Sequence, residues 1–214
     1  MPSKYIEYAN REEWLAGRKD HIGASEMGVI CEVSSFKSQQ ELWKEKTGRK
    51  NPDDISENPL VAYGTKAEEH LRALFSLKHP EYEVEYHAYR VYQHDEYDWL
   101  TCTLDGEIVE TETGRRGILE IKTKLIFSAA DREEWNGKIP SGYYCQVCEQ
   151  LFVTGYDFAI LVAELRRSDG SAEILEYMIE RADSQADIEW VIRKAVDFHK
   201  YIEEDKEPPM KLSL

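Results

Sequence analysis

The chain has 214 residues, of which 42% are hydrophobic and 32% are charged, a composition that indicates a single globular domain and excludes an intrinsically disordered chain. Asp and Glu number 42 against 27 Lys and Arg, which gives a formal net charge of −15, whereas nucleic-acid-binding domains are usually basic. The first 50 residues hold nine basic and eight acidic residues, so any DNA contact is expected near this part of the chain.

The sequence lacks both a run of about 18 apolar residues and an apolar signal core at the N-terminus, so we expect a cytoplasmic protein that does not associate with membranes. Four cysteines, at positions 31, 102, 145 and 148, are then expected to be reduced thiols. Cys145 and Cys148 form a CxxC motif, which raises the question of a metal or redox site. Because no second pair of cysteines accompanies them, we interpret them as ordinary buried residues of a helix.

Helix signals come first along the chain. Asn10–Glu13 and Ser38–Glu41 have the spacing of capping boxes. Apolar residues at helical spacing predict a long helix over 59–77, which the His79-Pro80 pair ends. The pattern then changes to that of strands, which are predicted over 84–91, 99–104, 106–111 and 117–122 as an antiparallel meander.

The rest of the chain alternates between the two types of element. We predict a helix over 140–153, a buried strand over 158–163, a strand over 174–179 and a C-terminal helix over about 182–203. The residues after this helix form a short tail that is expected to fray. The order predicts one domain over 1–214 with a core over about 14–180, of mixed α/β (α+β) class, in which helices flank a mixed central sheet.

The residues with the clearest chemistry are Asp105, Glu120 and Lys122. Glu120 and Lys122 are two residues apart on a predicted strand, so their side chains point to the same face. Two carboxylates can hold Mg²⁺, which activates water for phosphodiester hydrolysis, and a neighbouring lysine can stabilise the developing charge. The alternative is a salt bridge between Glu120 and Lys122 on a solvated face of the strand.

Asp105…Glu120-Ile-Lys122 has the form of the PD-(D/E)XK nuclease signature, and the chain more narrowly resembles the lambda exonuclease and YqaJ viral recombinase family. Four more stretches carry the resemblance over about residues 14–165: Arg18 to Ser25, Gly64 to Glu69, Thr103-Leu-Asp-Gly106 and Tyr143 to Gln150. Each of the four also has an ordinary interpretation, such as a helix cap, an exposed helical charge or a packed helix face.

The resemblance implies a restriction-endonuclease-like PD-(D/E)XK core with one or two Mg²⁺ ions, for which Mn²⁺ can substitute. The metal would be bound by Asp105, Glu120 and the Ile121 carbonyl, with Glu68 reaching it through water. Lys122 and Gln146 would act on the attacking water. The remaining implied roles are binding of a 5′-phosphate by Arg18, Ser25 and Thr103, and contacts with DNA by Tyr143 and Lys124.

The resemblance also implies a function: a 5′→3′ exonuclease on double-stranded DNA ends that leaves 3′ overhangs for a single-strand annealing protein. Such enzymes are homotrimeric rings encoded by phages or prophages of bacterial hosts. Cations expected to line the channel are Lys37, Lys44, Lys46, Arg49, Lys50 and Lys124. The alternatives are an endonuclease of the same superfamily, an iron–sulfur helicase-associated exonuclease (suggested by the CxxC motif), a DNA-binding protein without catalysis, and an unrelated acidic protein.

Overall fold

Two mixed β-sheets and seven α-helices make up the part of the protein that the computed structural model describes, residues 4–34, 36–55 and 57–210. The first half of the chain contains β1 (Tyr5–Glu7), α1 (Arg11–Arg18), β2 (Ile22–Gly23), a 3-10 turn (Ala24–Glu26), α2 (Met27–Ile30), α3 (Gln39–Lys46), α4 (Pro59–Lys78), β3 (Tyr82–Glu85), β4 (Arg90–Gln93) and β5 (Leu100–Cys102). The second half contains β6 (Gly106–Glu110), β7 (Arg116–Leu125), α5 (Ala129–Glu133), α6 (Ser141–Thr154), β8 (Phe158–Arg166), β9 (Ala172–Glu180) and α7 (Gln185–Glu203).

The smaller sheet has the strand order β1-β4-β5-β2, and the larger sheet has the order β3-β6-β7-β8-β9. Each sheet contains one parallel pair, β2 with β5 in the smaller sheet and β7 with β8 in the larger sheet. The other pairs are antiparallel. The mixed α/β class predicted from the sequence is confirmed, although its strands form two sheets instead of one.

The predicted meander is wrong. The segment expected to be one strand over 84–91 is divided between β3 and β4, and Tyr89 between them has a φ of 62°. β3 pairs with β6 in the larger sheet, whereas β4 pairs with β1 and β5 in the smaller sheet. Alternation of apolar residues shows that a segment is extended, but it does not show which distant strand becomes its partner.

Two apolar clusters cover the two faces of the larger sheet. On one face, α4 contributes Ala67, Leu71 and Phe75, which pack against Leu119 and Ile121 of β7. On the other face, a larger cluster joins the sheet to α2, α3, α6 and α7. Successive residues of a strand point to opposite faces, so β7 is buried on both sides and Glu120 faces away from α4.

A buried carboxylate joins the two sheets. Glu107 of β6 is 4% exposed, and it accepts hydrogen bonds from Arg90 and Tyr92 of β4 in the smaller sheet. It also accepts hydrogen bonds from Arg116 of β7 and from the Tyr156 hydroxyl. The Glu107 side chain therefore receives four donors, two of them from the other sheet.

The helix ends follow the capping signals. Ser38 and Glu41 form the expected capping box of α3, and the Asn10 side chain accepts the Glu13 N–H at the start of α1. The predicted helix over 59–77 is α4, with Asn58 as its cap.

All four cysteines are free and buried, as predicted. Within the described residues, no helix has the length and apolarity that a bilayer crossing requires.

The segment after α7, up to Met210, contacts α3 and the loop that follows it. Pro208 is buried, and its carbonyl accepts a hydrogen bond of 3.1 Å from Gln40 of α3. Arg49 pairs with Asp205 at 2.7 Å. Composition alone predicts an exposed tail, whereas these contacts hold the segment against α3.

Candidate active site

Glu120 and Lys122 lie together on β7, with the Lys122 Nζ 2.5 Å from the Glu120 Oε1. The Glu120 side chain is only 2% exposed, yet both of its oxygens have partners. The Gln146 amide donates to Oε1 at 2.6 Å and the Gln150 amide donates to Oε2 at 2.6 Å. Because three donors surround this carboxylate, the buried charge is compensated and its orientation is restricted.

Asp105 lies beside this pair because β6 and β7 are antiparallel neighbours, with Gly106 opposite Leu119. The Asp105 Oδ2 accepts a hydrogen bond of 2.8 Å from the Ile121 N–H. Its own backbone carbonyl accepts a hydrogen bond from the Arg72 guanidinium of α4. Asp105 is therefore held through both its side chain and its main chain.

Glu68 reaches the same region from α4, on the other face of the larger sheet. A Cβ at Gly64 would lie 3.2 Å from the Thr123 Oγ1 of β7, so the glycine permits the helix to approach the strand closely. Glu68, one turn later, is half-buried and within electrostatic range of Glu120 and Lys122, whereas Glu69 is exposed. Of the two glutamates in the motif, Glu68 is thus the one directed towards the site.

The site carries an excess of negative charge. Burial raises the pKa of Asp105 well above its ordinary range, and the nearby Glu120 and Glu68 carboxylates raise it further against the opposing effect of Lys122. Burial also raises the pKa of Glu68. For Lys122, burial disfavours the charged amine, but Glu120 and Asp105 outweigh this effect and the pKa is raised. Carboxylates that repel one another in this way would be stabilised by a bound cation.

The donor set fits a hard cation that retains part of its water. Asp105 and Glu120 supply carboxylate oxygens, the type of ligand that Mg²⁺ prefers. The Ile121 N–H points to Asp105, and because the N–H and C=O of one strand residue point to the same side, the Ile121 carbonyl faces that side too. Among the described residues, no group of three or more His, Cys, Asp or Glu side chains is arranged as a metal site, so water or substrate would complete the coordination.

A cavity of about 690 Å³ opens beside Lys122 and Gln146. Ser25 of the 3-10 turn lies at its wall and is exposed, and Lys124 and Tyr143 line it as well. The Lys122 Nζ lies 5.3 Å from the centre of the Tyr143 ring. The cavity therefore brings five sequence-predicted residues, Ser25, Lys122, Lys124, Tyr143 and Gln146, into one space next to Glu120.

Arg18 and Thr103 are placed differently from the sequence-based expectation. Arg18 lines a second cavity of about 330 Å³ with Gly23 and Glu26, so Arg18 and Ser25 border different cavities on either flank of the 3-10 turn. Its guanidinium stacks 4.4 Å from the Trp14 ring centre, and burial lowers its pKa. The Thr103 carbonyl accepts a hydrogen bond of 3.2 Å from Gln150. The structure therefore does not place Arg18 and Ser25, two of the three expected phosphate ligands, in the same cavity.

Most of the cations expected to line a DNA channel are ion-paired within the chain. Their partners come from the 3-10 turn, from α3, from the loop after it and from the C-terminal segment. The pairs are Lys37 with Glu45 at 2.6 Å, Lys44 with Glu207 at 2.9 Å, Lys46 with Glu26 at 2.8 Å, Arg49 with Asp205 at 2.7 Å and Lys50 with Asp53 at 3.4 Å. Lys124, by contrast, lines the larger cavity.

Sequence reasoning did not identify Arg72 or Gln150 as part of the site. Gln150 follows Gln146 by four residues on α6, and this spacing places both amides on one helix face, so a signal for Gln150 was present. Arg72 follows Glu68 by four residues on α4 with the same spacing. Nothing in its sequence neighbourhood indicates that it would bond to a carbonyl 33 positions away.

Residues 13–157 match the family model described as the YqaJ-like viral recombinase domain. The chain belongs to this family. It is 29% identical over 195 residues to the uncharacterized protein YqaJ of Bacillus subtilis (strain 168), with 88% of this chain and 55% of the relative covered. It is also 27% identical over 154 residues to the uncharacterized protein R354 of Acanthamoeba polyphaga mimivirus, with 68% of this chain and 27% of the relative covered. The chain thus spans about half the length of the first relative and a smaller part of the second.

Solved structures show the same fold. The alkaline exonuclease LHK-Exo from Laribacter hongkongensis matches with a TM-score of 0.64 and 22% identity, covering 91% of this chain and 95% of that one. A phage related exonuclease from Haemophilus somnus 129PT matches with a TM-score of 0.52 and 14% identity, covering 86% of this chain and 94% of that one. The PD-(D/E)XK fold that the sequence motif predicts is confirmed.

Proposed function

We propose that this protein is a metal-dependent exodeoxyribonuclease, with Mg²⁺ as its metal and double-stranded DNA ends as its substrate. The observation that carries the proposal is the convergence of Asp105, Glu120 and Lys122, in which the Lys122 amine lies 2.5 Å from the Glu120 carboxylate and the Asp105 carboxylate bonds to the intervening residue. Relatives with this fold include proteins named as exonucleases, which supports the assignment.

Each residue has a chemical role in this proposal. Asp105, Glu120 and the Ile121 carbonyl would hold the metal, with Glu68 in its outer shell through water. The bound metal would polarise the phosphoryl oxygen and lower the pKa of a coordinated water. Lys122 places a positive charge where negative charge develops on the phosphorus, and Gln146 orients the attacking water.

The end-binding step is proposed for the larger cavity. Ser25 supplies a hydroxyl there and Lys124 supplies positive charge, while Tyr143 offers a ring on which a base can stack. Arg18 and Thr103 would join them in binding the 5′-phosphate after a rearrangement around the 3-10 turn. From the family resemblance of the sequence we also propose 5′→3′ digestion that leaves 3′ overhangs for a single-strand annealing protein, carried out by a homotrimeric ring.

The catalytic trio is tested with Asp105→Asn and Lys122→Met. Both variants should lose at least about 1,000-fold in cleavage rate on a fluorescent linear duplex with Mg²⁺, a loss of about 4 kcal/mol in transition-state stabilisation. Titration calorimetry with Mn²⁺ should show weaker binding for Asp105→Asn, and binding at least as tight as that of the parent for Lys122→Met, because this change removes a cation beside Glu120. Glu69→Gln serves as the exposed control and should behave as the parent in both measurements. Cleavage at the parental rate by either variant would remove that residue from the mechanism.

End dependence distinguishes the exonuclease from an endonuclease with the same metal site. Linear duplexes with a 5′-phosphate should be digested faster than those without it, and covalently closed circles should remain intact. Release of mononucleotides from a strand labelled at its 5′ end, before any release from its 3′ end, would establish the polarity. Linearisation of the closed circle would favour the endonuclease.

A further inference from the structure

Arg72 of α4 makes an unusual set of contacts for an arginine next to a carboxylate cluster. Its guanidinium donates to the backbone carbonyl of Asp105 and lies 3.9 Å from the centre of the Tyr86 ring. Within the described residues it forms no ion pair, although Glu68 is four residues earlier on the same helix face. The guanidinium is directed at the main chain beside Asp105, and the Glu68 carboxylate attracts it without a direct contact.

The surroundings of Arg72 leave it little freedom. Tyr86 packs against the guanidinium by a cation–π contact, and the aliphatic part of the side chain packs at the start of β6. A Cβ at Gly106 would lie 3.6 Å from the Arg72 Cδ and 3.3 Å from the Leu119 Cβ. The glycine after Asp105 therefore makes room for the neighbouring strand, while the Arg72 side chain lies beside it at an ordinary contact distance.

These contacts complete the support of Asp105. The Ile121 N–H holds the carboxylate from β7 at 2.8 Å, and Arg72 holds the carbonyl of the same residue from α4. Because the carbonyl and the side chain share the Asp105 Cα, a guanidinium that fixes the carbonyl also restricts the main-chain torsions on which the direction of the carboxylate depends. Without Arg72, the hydrogen bond from Ile121 would remain as the described contact of the carboxylate, and the carbonyl would lose its side-chain donor.

We propose that Arg72 is a positioning residue that sets the direction of the Asp105 carboxylate for metal binding. The inference rests on the proposed function, in which Asp105 is a metal ligand. A conservative change to lysine would keep a donor and a positive charge. It would lose the planar guanidinium that contacts the carbonyl and the Tyr86 ring at once.

The test compares Arg72→Gln and Arg72→Lys with the parent, using the full chain, and Lys66→Gln as the control on the exposed side of the same helix. Titration calorimetry with Mn²⁺ should show about tenfold weaker binding for Arg72→Gln, the range found when a group supporting a metal ligand is removed, and a partial recovery for Arg72→Lys. With saturating Mn²⁺, kcat on a linear duplex should fall while the KM for DNA stays within twofold. Thermal unfolding of each variant sets a temperature at which all are folded.

The direction of the change in Mn²⁺ affinity of Arg72→Gln distinguishes a positioning role of Arg72 from a purely electrostatic one. Removal of a cation near the site, by Coulomb's law alone, would strengthen the binding of a divalent cation. Tighter or unchanged Mn²⁺ binding by Arg72→Gln would therefore overturn the inference, as would a raised KM for DNA at unchanged kcat. If Asp105→Asn keeps its metal affinity, the proposed function itself fails. If Asp105→Asn loses that affinity and Arg72→Gln does not, only the role of Arg72 fails.

Discussion

At the scale of single residues, Glu149 is the most anomalous side chain. It lies in the middle of α6, it is 0% exposed, and neither of its carboxyl oxygens has a hydrogen-bond partner within the described residues. Burial raises the pKa of Glu149 well above its ordinary range, and Glu26 raises it further. The folded chain therefore keeps a proton that the unfolded chain loses above about pH 4.3.

This proton links stability to pH. The stability that the neutral carboxyl contributes is fully present below the unfolded-state pKa, and it is lost as the pH rises towards the raised folded-state pKa, at about 1.4 kcal/mol for each pH unit. We expect Glu149→Gln, which carries no charge at any pH, to unfold at a higher temperature than the parent, with a difference that grows from pH 6 to pH 9. Differential scanning calorimetry at several pH values measures it. Glu112→Gln, at an exposed turn, should show no such trend, and equal melting temperatures of Glu149→Gln and parent at pH 9 would contradict the prediction.

The relative placement of two site residues could be predicted where the two are close in sequence. The same-face arrangement of Glu120 and Lys122 follows from strand geometry, and the choice of Glu68 over Glu69 follows from motif spacing. The Arg72–Asp105 contact joins residues 33 positions apart, so no local pattern encodes it. Arg18 and Ser25 border different cavities because of the way the 3-10 turn packs. A sequence motif does not describe this packing.

At the scale of elements, helices α2 and α6 pack closely against each other where Gly28 meets Gly142. A Cβ at Gly28 would lie 3.1 Å from the Gly142 Cα, whereas a Cβ at Gly142 would lie 3.9 Å from the Gly28 Cα. Because the first distance is too short and its partner is main chain, we expect Gly28→Ala to lower the free energy of unfolding by about 1–3 kcal/mol. Gly142→Ala meets only an ordinary contact and should be neutral or slightly stabilising. Urea unfolding of the two variants measures the difference, and equal effects would show that the crossing tolerates both methyl groups.

The helices could be predicted more fully than the sheets. Caps and apolar spacing define α3, α4 and α6 locally, and the observed bounds of α4 and α6 differ from the predicted ones by one residue at each shifted end. The strands were recognisable as extended segments, but their division into two sheets depends on partners far along the chain. Strands β1 and β2 have three and two residues, so they are too short to show a recognisable alternation of apolar and polar residues.

At the scale of the whole molecule, the net charge of −15 limits how DNA can be bound. Five of the cations in the N-terminal third are paired with carboxylates, while Lys124 and Lys138 line the larger cavity. We expect the logarithm of the affinity for a duplex end to fall with the logarithm of the salt concentration with a slope of about −2 for these two lysines. Fluorescence anisotropy over a range of KCl concentrations, in Ca²⁺ to prevent cleavage, measures the slope.

Two substitutions divide the cations into those that bind DNA and those that stabilise the fold. Lys138→Ala should reduce the slope by about one, because it removes one phosphate contact. Lys44→Ala, which removes a cation already paired with Glu207 at 2.9 Å, should leave the slope unchanged. A reduced slope for Lys44→Ala would mean that the α3 pairs open when DNA binds.

The Glu107 carboxylate fixes the position of Asp105 relative to both sheets. It stands two residues after Asp105 and takes donors from both sheets. A rotation of one sheet against the other would remove hydrogen-bond donors from a buried charge. The free-energy cost of this rotation is far higher than that of bending a surface loop. Asp105 is thereby held where the two sheets meet, so its position beside Glu120 and Lys122 depends on a buried carboxylate that is not itself part of the candidate active site.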